Sequence, residues 1–132
     1  MTSTRRVTVL VAAVALVTGC ASDDGPQAGD AARAFYAAFA QGDGPAACAA
    51  LAPSTVEELE QSAGLPCAEA VLEQDLPDVG DAASVEVFGD HAQVRFDSDT
   101  AFLAHFPEGW KVIAAACTER QERPYDCQVK GA

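Results

Sequence analysis

Ala83-Ser84-Val85-Glu86-Val87-Phe88-Gly89-Asp90-His91-Ala92-Gln93-Val94-Arg95-Phe96 is the stretch that decides the fold. Apolar Ala83, Val85 and Val87 alternate with Ser84, Glu86 and Phe88, then Ala92, Val94 and Phe96 alternate with His91, Gln93 and Arg95. Period-two alternation marks a half-buried strand, and Gly-Asp between two such runs fits the two-residue loop of a type II′ hairpin. That loop sets Val87 against Ala92, Val85 against Val94 and Ala83 against Phe96, so both apolar sets share one face. A slip of one residue would have put one of the two sets on the solvent side.

Downstream, Asp97-Ser98-Asp99-Thr100 makes a turn, and Ala101–Phe106 reads as a third strand, although Phe102-Leu103 also suits a helical turn. Pro107-Glu108-Gly109 leads tightly into a fourth strand, Trp110–Cys117. A charged loop, Thr118–Pro124, precedes a fifth strand, Tyr125–Val129.

Upstream the period is helical. Asp30 caps a first helix running to Gln41, with Ala31, Ala34, Phe35, Ala38 and Phe39 as its apolar stripe, and Gly42 ends it. Asp43 caps a second helix with Pro45 in its first turn, and Pro53 stops it. Ser54-Thr55-Val56-Glu57 has the form of a capping box opening a third helix, with Val56, Leu59 and Ala63 inward and Gly64 at its end. Pro66 starts a fourth helix carrying Cys67, Ala70 and Val71. Helices first and a meander afterwards predict an α+β fold: N-terminal helices packed on a curved antiparallel sheet of four to five strands, a cone-like body.

The first twenty residues carry a different signal. Arg5-Arg6, the uncharged run Val7–Val17 and Gly19-Cys20 have the layout of a bacterial lipoprotein signal, cut so that Cys20 becomes the first residue and takes acyl groups. An ordinary cleaved signal and twin-arginine export are the rival readings of this segment. The run is about half the roughly 20 residues a spanning helix needs, so the expected anchor is acyl, with palmitate-type chains in the bilayer. Residues 1–19 are therefore read as signal peptide, 20–29 as lipidated N-terminus and flexible spacer, and 30–132 as one domain. By coil statistics the spacer reaches about 15 Å, placing the domain near the extracytoplasmic face of the cell membrane.

Cleavage would remove Arg5 and Arg6, leaving 6 basic against 20 acidic residues, a formal charge of −14. Nucleic acid is excluded as a partner, because phosphate binding needs the opposite sign. Beyond Cys20 the cysteines are Cys48, Cys67, Cys117 and Cys127, an even number suited to two disulfides outside the cell. Three pairings can be drawn. Cys48–Cys67 with Cys117–Cys127 is the expected one, because each closes a short loop between neighbouring elements. A zinc site is disfavoured, since no Cys-x-x-Cys occurs and both histidines are remote in sequence from any cysteine pair.

Phe35-Tyr36-Ala37-Ala38-Phe39-Ala40-Gln41-Gly42-Asp43, Gly89-Asp90-His91-Ala92-Gln93-Val94 and Glu108-Gly109-Trp110-Lys111-Val112 together resemble the nuclear transport factor 2-like superfamily, over roughly residues 28–130. The resemblance implies a cone fold shared with ketosteroid isomerases. Those isomerases use a first-helix tyrosine seven residues before Gly-Asp and an aspartate base after the second helix. Here Phe35 holds the first position, and Leu51–Thr55 offers no carboxylate before Glu57. Tyr36 lies one position round the helix, about 100° away.

No nucleophile elbow, phosphate loop, dinucleotide fingerprint or His-Glu-x-x-His occurs, so no catalytic residue, metal or cofactor is expected. Asp97-Ser98-Asp99 is read as a solvated turn in preference to a calcium loop. His105 with Asp97 or Asp99 is the one acid–base pair that can be drawn. Phe39, Phe96, Phe102, Phe106 and Trp110 are the large side chains available to line a pocket in the cone. The expected function is a membrane-tethered, non-catalytic domain that binds a small apolar ligand or an envelope protein. A cone-fold enzyme with a rearranged site and a purely structural surface lipoprotein are its rivals.

Overall fold

The computed structural model describes residues 24–131, so the signal segment and Cys20 lie outside the described residues. Five antiparallel strands stand in the sheet in chain order: β1 (Ala82–Phe88), β2 (His91–Phe96), β3 (Thr100–Phe106), β4 (Gly109–Arg120) and β5 (Arg123–Lys130). The deciding hairpin has the expected register over most of its length, with Val87 opposite Ala92 and Val85 opposite Val94. Gly89 takes φ +63°, the left-handed value that the first turn position of a type II′ loop demands. At the far end an irregularity between Ala82 and Ser84 puts Ala82, not Ala83, opposite Phe96. Ala83 is exposed as a result.

Of the helices α1 (Asp24–Ala40), α2 (Gly44–Ala49), α3 (Pro53–Ala63) and α4 (Cys67–Ala70), followed by a single 3-10 turn (Val71–Glu73), α1 and α3 lie on that sheet, and α2, α4 and the turn pack chiefly on the other helices. The described part of α1 already includes residues 24–29, so the segment expected to be a flexible spacer is partly helical, with Ala28 and Gly29 buried. Its inward stripe is Ala28, Ala32, Phe35, Tyr36 and Ala38, and Ala34 is exposed. Tyr36 displaces Ala34 from the expected stripe because its hydroxyl finds a buried acceptor, described below. A Cβ on Gly29 would come within 3.2 Å of Val85 Cγ2, which measures how closely α1 lies on β1.

The Asp43 side chain caps α2 by accepting from Ala46 N–H at 3.1 Å, as expected. The capping box expected for α3 does not form. Ala52 holds the cap position without a side-chain bond, and Pro53 lies in the first turn, so this proline opens α3. Thr55 is instead fully buried and donates its hydroxyl to Ile113 O at 3.1 Å, tying α3 to β4. The connector between α2 and α3 lies alongside β4. Val112 N–H donates to Ala50 O at 2.9 Å, and Ala52 N–H donates to Val112 O at 2.8 Å.

Strand β4 holds the sheet's main irregularity. Phe102 pairs with Ala114 but Leu103 with Val112, so Ile113 is an extra residue. The bulge changes the phase of burial: Trp110 and Val112 face the helices before it, Ala115 and Cys117 after it. Bulges of this kind bend a strand and let it follow a curved layer. The charged loop expected over Thr118–Pro124 shrinks to the Gln121-Glu122 turn, because Arg120 pairs directly with Arg123.

Both disulfides join the expected partners. Cys48–Cys67 staples α2 to the start of α4, and Cys117–Cys127 links facing residues of β4 and β5. Gly44 lets the first pair of helices meet, since a Cβ there would lie 2.0 Å from Ala68 O. Gly44→Ala should destabilise the domain by about 1–3 kcal/mol through overpacking against a backbone atom. Gly25→Ala, whose methyl meets nothing within 4 Å, should hold or raise stability. Thermal melts of the two variants check the contrast, and equal melting temperatures would contradict the close approach.

Candidate functional site

Asp99, in the turn between β2 and β3, faces inward with only 9% of its surface exposed. Its carboxylate accepts the Tyr36 hydroxyl proton at Oδ2. It also accepts Ala116 N–H at 3.0 Å, Cys117 N–H at 2.9 Å and Thr100 N–H at 2.8 Å. Four donors thus converge on two oxygens, which is how a carboxylate can be held in an apolar surround without a large desolvation cost. The Tyr36 ring is wedged edge-on between Phe35 at 5.2 Å and Phe96 at 5.1 Å. Ala116 has φ +53°, a costly left-handed value for alanine, and its N–H reaches Asp99 from that conformation.

Burial, then the hydrogen bond to Asp99 and the nearby negative charge, push the Tyr36 pKa well above its ordinary 10.0; the Ala116 N–H opposes this only in part. The neutral phenol is therefore the form the fold favours. Asp99 spends its acceptor capacity on these four donors, so this cluster clamps α1 to the sheet, although Asp99 also borders the hollow at the β2–β3 turn and Tyr36 one beside Pro77–Gly80. The solvated turn expected at Asp97–Asp99 is corrected on this point: Asp97 and Ser98 are exposed, and Asp99 is not. In the sequence Tyr36 stands off the expected apolar stripe of α1 and Asp99 stands in a turn; neither the inward position of Tyr36 nor their pairing across 63 positions is legible there.

His105 lies at the other end of β3 from Asp97 and Asp99, so the acid–base pair drawn from the sequence does not form. Its ring stands edge-on to Trp110 at 5.1 Å. Trp110 is buried, and its Nε1–H has no hydrogen-bond partner among the described residues. Among the described residues no cluster of three or more His, Cys, Asp or Glu is placed to hold a metal ion.

The five candidate pocket aromatics are not brought together. Phe96 borders a polar hollow near the β2–β3 turn, and Phe102 stacks edge-on to Tyr125 at 5.1 Å beside a second hollow, against Lys130 and Gly131. Trp110 borders a third with Asp24, Gly89, Asp90 and His105. Phe39 packs against the core, half-buried. Only Phe106 borders the roomiest of these hollows, a groove of about 500 Å³ walled by Cys48, Leu51, Pro53 and Val56, with Glu57, Glu108 and Lys111 also lining it. Lys111 Nζ donates to Ala49 O at 2.6 Å and braces one side. The groove lies between the end of α2, the start of α3 and the β3–β4 turn, a junction that alternation along a single strand does not reveal.

Comparison with family models, with curated proteins and with solved structures gives no match.

Tyr36→Phe should cost about 1–3 kcal/mol by leaving a buried acceptor short of a donor. Asp99→Asn should cost more, because its NH2 group would face either the Thr100 and Cys117 N–H groups or the Ala116 N–H, donor against donor. The Tyr36 contribution is complete below pH 10.0 and is lost as pH rises above it, because only the unfolded chain ionises readily there. The wild type should thus lose stability relative to Tyr36→Phe in alkaline urea melts, by up to about 1.4 kcal/mol per pH unit. Parallel pH curves would refute the clamp.

Proposed function

We propose that the mature chain is a lipoprotein held by acylated Cys20 at the extracytoplasmic face of the cell membrane, where its domain binds a small apolar ligand without turning it over. The observation that carries this reading is the groove of about 500 Å³ beside Phe106, Leu51 and Val56. Its size falls in the range of small-molecule sites, which are mostly apolar with a few polar groups to orient the ligand. Glu57 and Glu108 beside it, on a body of formal charge −14, favour a neutral or cationic ligand over an anionic one. The absorption of Tyr36 and Asp99 into a structural clamp supports the non-catalytic part of the reading. Helices followed by a meander support its kinship with nuclear transport factor 2-like domains. No described helix is long and apolar enough to cross a membrane, which accords with an acyl anchor.

Two measurements test it. Alkyne-palmitate fed to cells should label the wild type and not Cys20→Ala, which should leave the membrane fraction. In an NMR titration with the neutral aromatic alcohol naphthol, Leu51, Val56 and Phe106 should shift saturably. Val56→Glu, which sets a charge in the wall, should weaken that binding by about tenfold or more. Absence of any saturable shift would overturn the ligand reading.

A further inference from the structure

We propose that the end of the domain bearing the β1–β2 turn rests on the lipid surface, with the Phe88 ring inserted among the headgroups; this orientation rests on the Cys20 tether. Phe88 is 63% exposed, the most exposed large apolar side chain among the described residues. It sits beside the Gly89-Asp90 turn, opposite His91. Nothing within the domain accounts for an aromatic ring displayed at a hairpin tip.

The path of the chain accounts for it. Asp24, the first described residue of α1, borders the hollow formed with Gly89, Asp90, His105 and Trp110. From Cys20 to Asp24 is four residue steps, at most about 14 Å of extended backbone. An acylated Cys20 therefore holds Asp24, and with it this end of the domain, within that distance of the bilayer. In the five-strand meander the Gly89-Asp90 and Pro107-Glu108 turns share this end, whereas Asp97–Asp99 and Gln121-Glu122 lie at the opposite one. An aromatic side chain gains by burial at the membrane–water interface, and one ring added to an acyl tether supplies the second contact that firm anchoring needs. Asp24 and Asp90, which border the hollow at this turn, suit a zwitterionic surface and disfavour an anionic one. The same orientation puts the Phe106 side of the ligand groove near the lipid and turns the β4–β5 tip away from it.

The test uses the full lipidated protein in phosphatidylcholine vesicles with brominated acyl chains, which quench tryptophan on contact. In a Trp110→Phe background, Phe88→Trp should lose most of its emission relative to unbrominated vesicles, and Gln121→Trp should keep its emission. If that background fails to fold, the same difference is read against the wild-type emission of Trp110. Mass spectrometry of the Cys20 peptide is the companion measurement. Acylated Cys20 with unquenched Phe88→Trp would overturn the docking and leave the tether standing, whereas unmodified Cys20 would overturn both.

Discussion

A buried carboxylate with four donors is the constraint on which this structure turns. Asp99 draws together the Tyr36 hydroxyl from α1, its own turn through Thr100 N–H, and the β4 backbone through Ala116 and Cys117. A helix lying on a sheet is free to slide along it unless something specific pins the contact, because apolar burial is non-directional. The Tyr36–Asp99 bond is directional. It sets where along β2–β4 the helix ends, and with it the depth at which Phe35, Ala32 and Ala28 meet the sheet.

The remaining supports act at other places. Cys48–Cys67 joins two helices too short to be stable alone, and Gly44 lets them approach to backbone contact. Cys117–Cys127 ties β4 to β5 one residue beyond left-handed Ala116, so a covalent link and the Asp99 carboxylate both bear on the same distorted stretch. The Ile113 bulge earlier in β4 lets one strand face the helices on both sides of the irregularity. Of these features the bulge is the one that bends β4.

The domain thus has two distinct ends. One carries the clamp and the β4–β5 tip. The other gathers Asp24, the Gly89-Asp90 turn, exposed Phe88 and buried Trp110, and the Phe106 groove lies toward it. The Asp99 clamp and the Cys117–Cys127 bond fall at the first end, and Phe88, the most exposed large apolar side chain among the described residues, at the second.

Local rules were enough for the sequence to specify the class of the fold, the β1–β2 register from the turn as far as Val85, the Asp43 cap, the glycine stops and, through even cysteine count and short loops, both disulfides. Each of these depends on residues close together in the chain, where alternation, turn chemistry and helical period act directly. Tertiary structure alone decided that Tyr36 outranks Ala34 on the inner face of α1, that Asp99 is an interior residue, that Thr55 bonds β4 where a capping box was expected, and that the large aromatics border separate hollows. Those outcomes rest on partners 58 and 63 positions apart and on a one-residue bulge that shifts which side chains face inward. A polar group's place inside or outside a protein is set by whether a partner waits for it, and that partner is found only when the chain has folded.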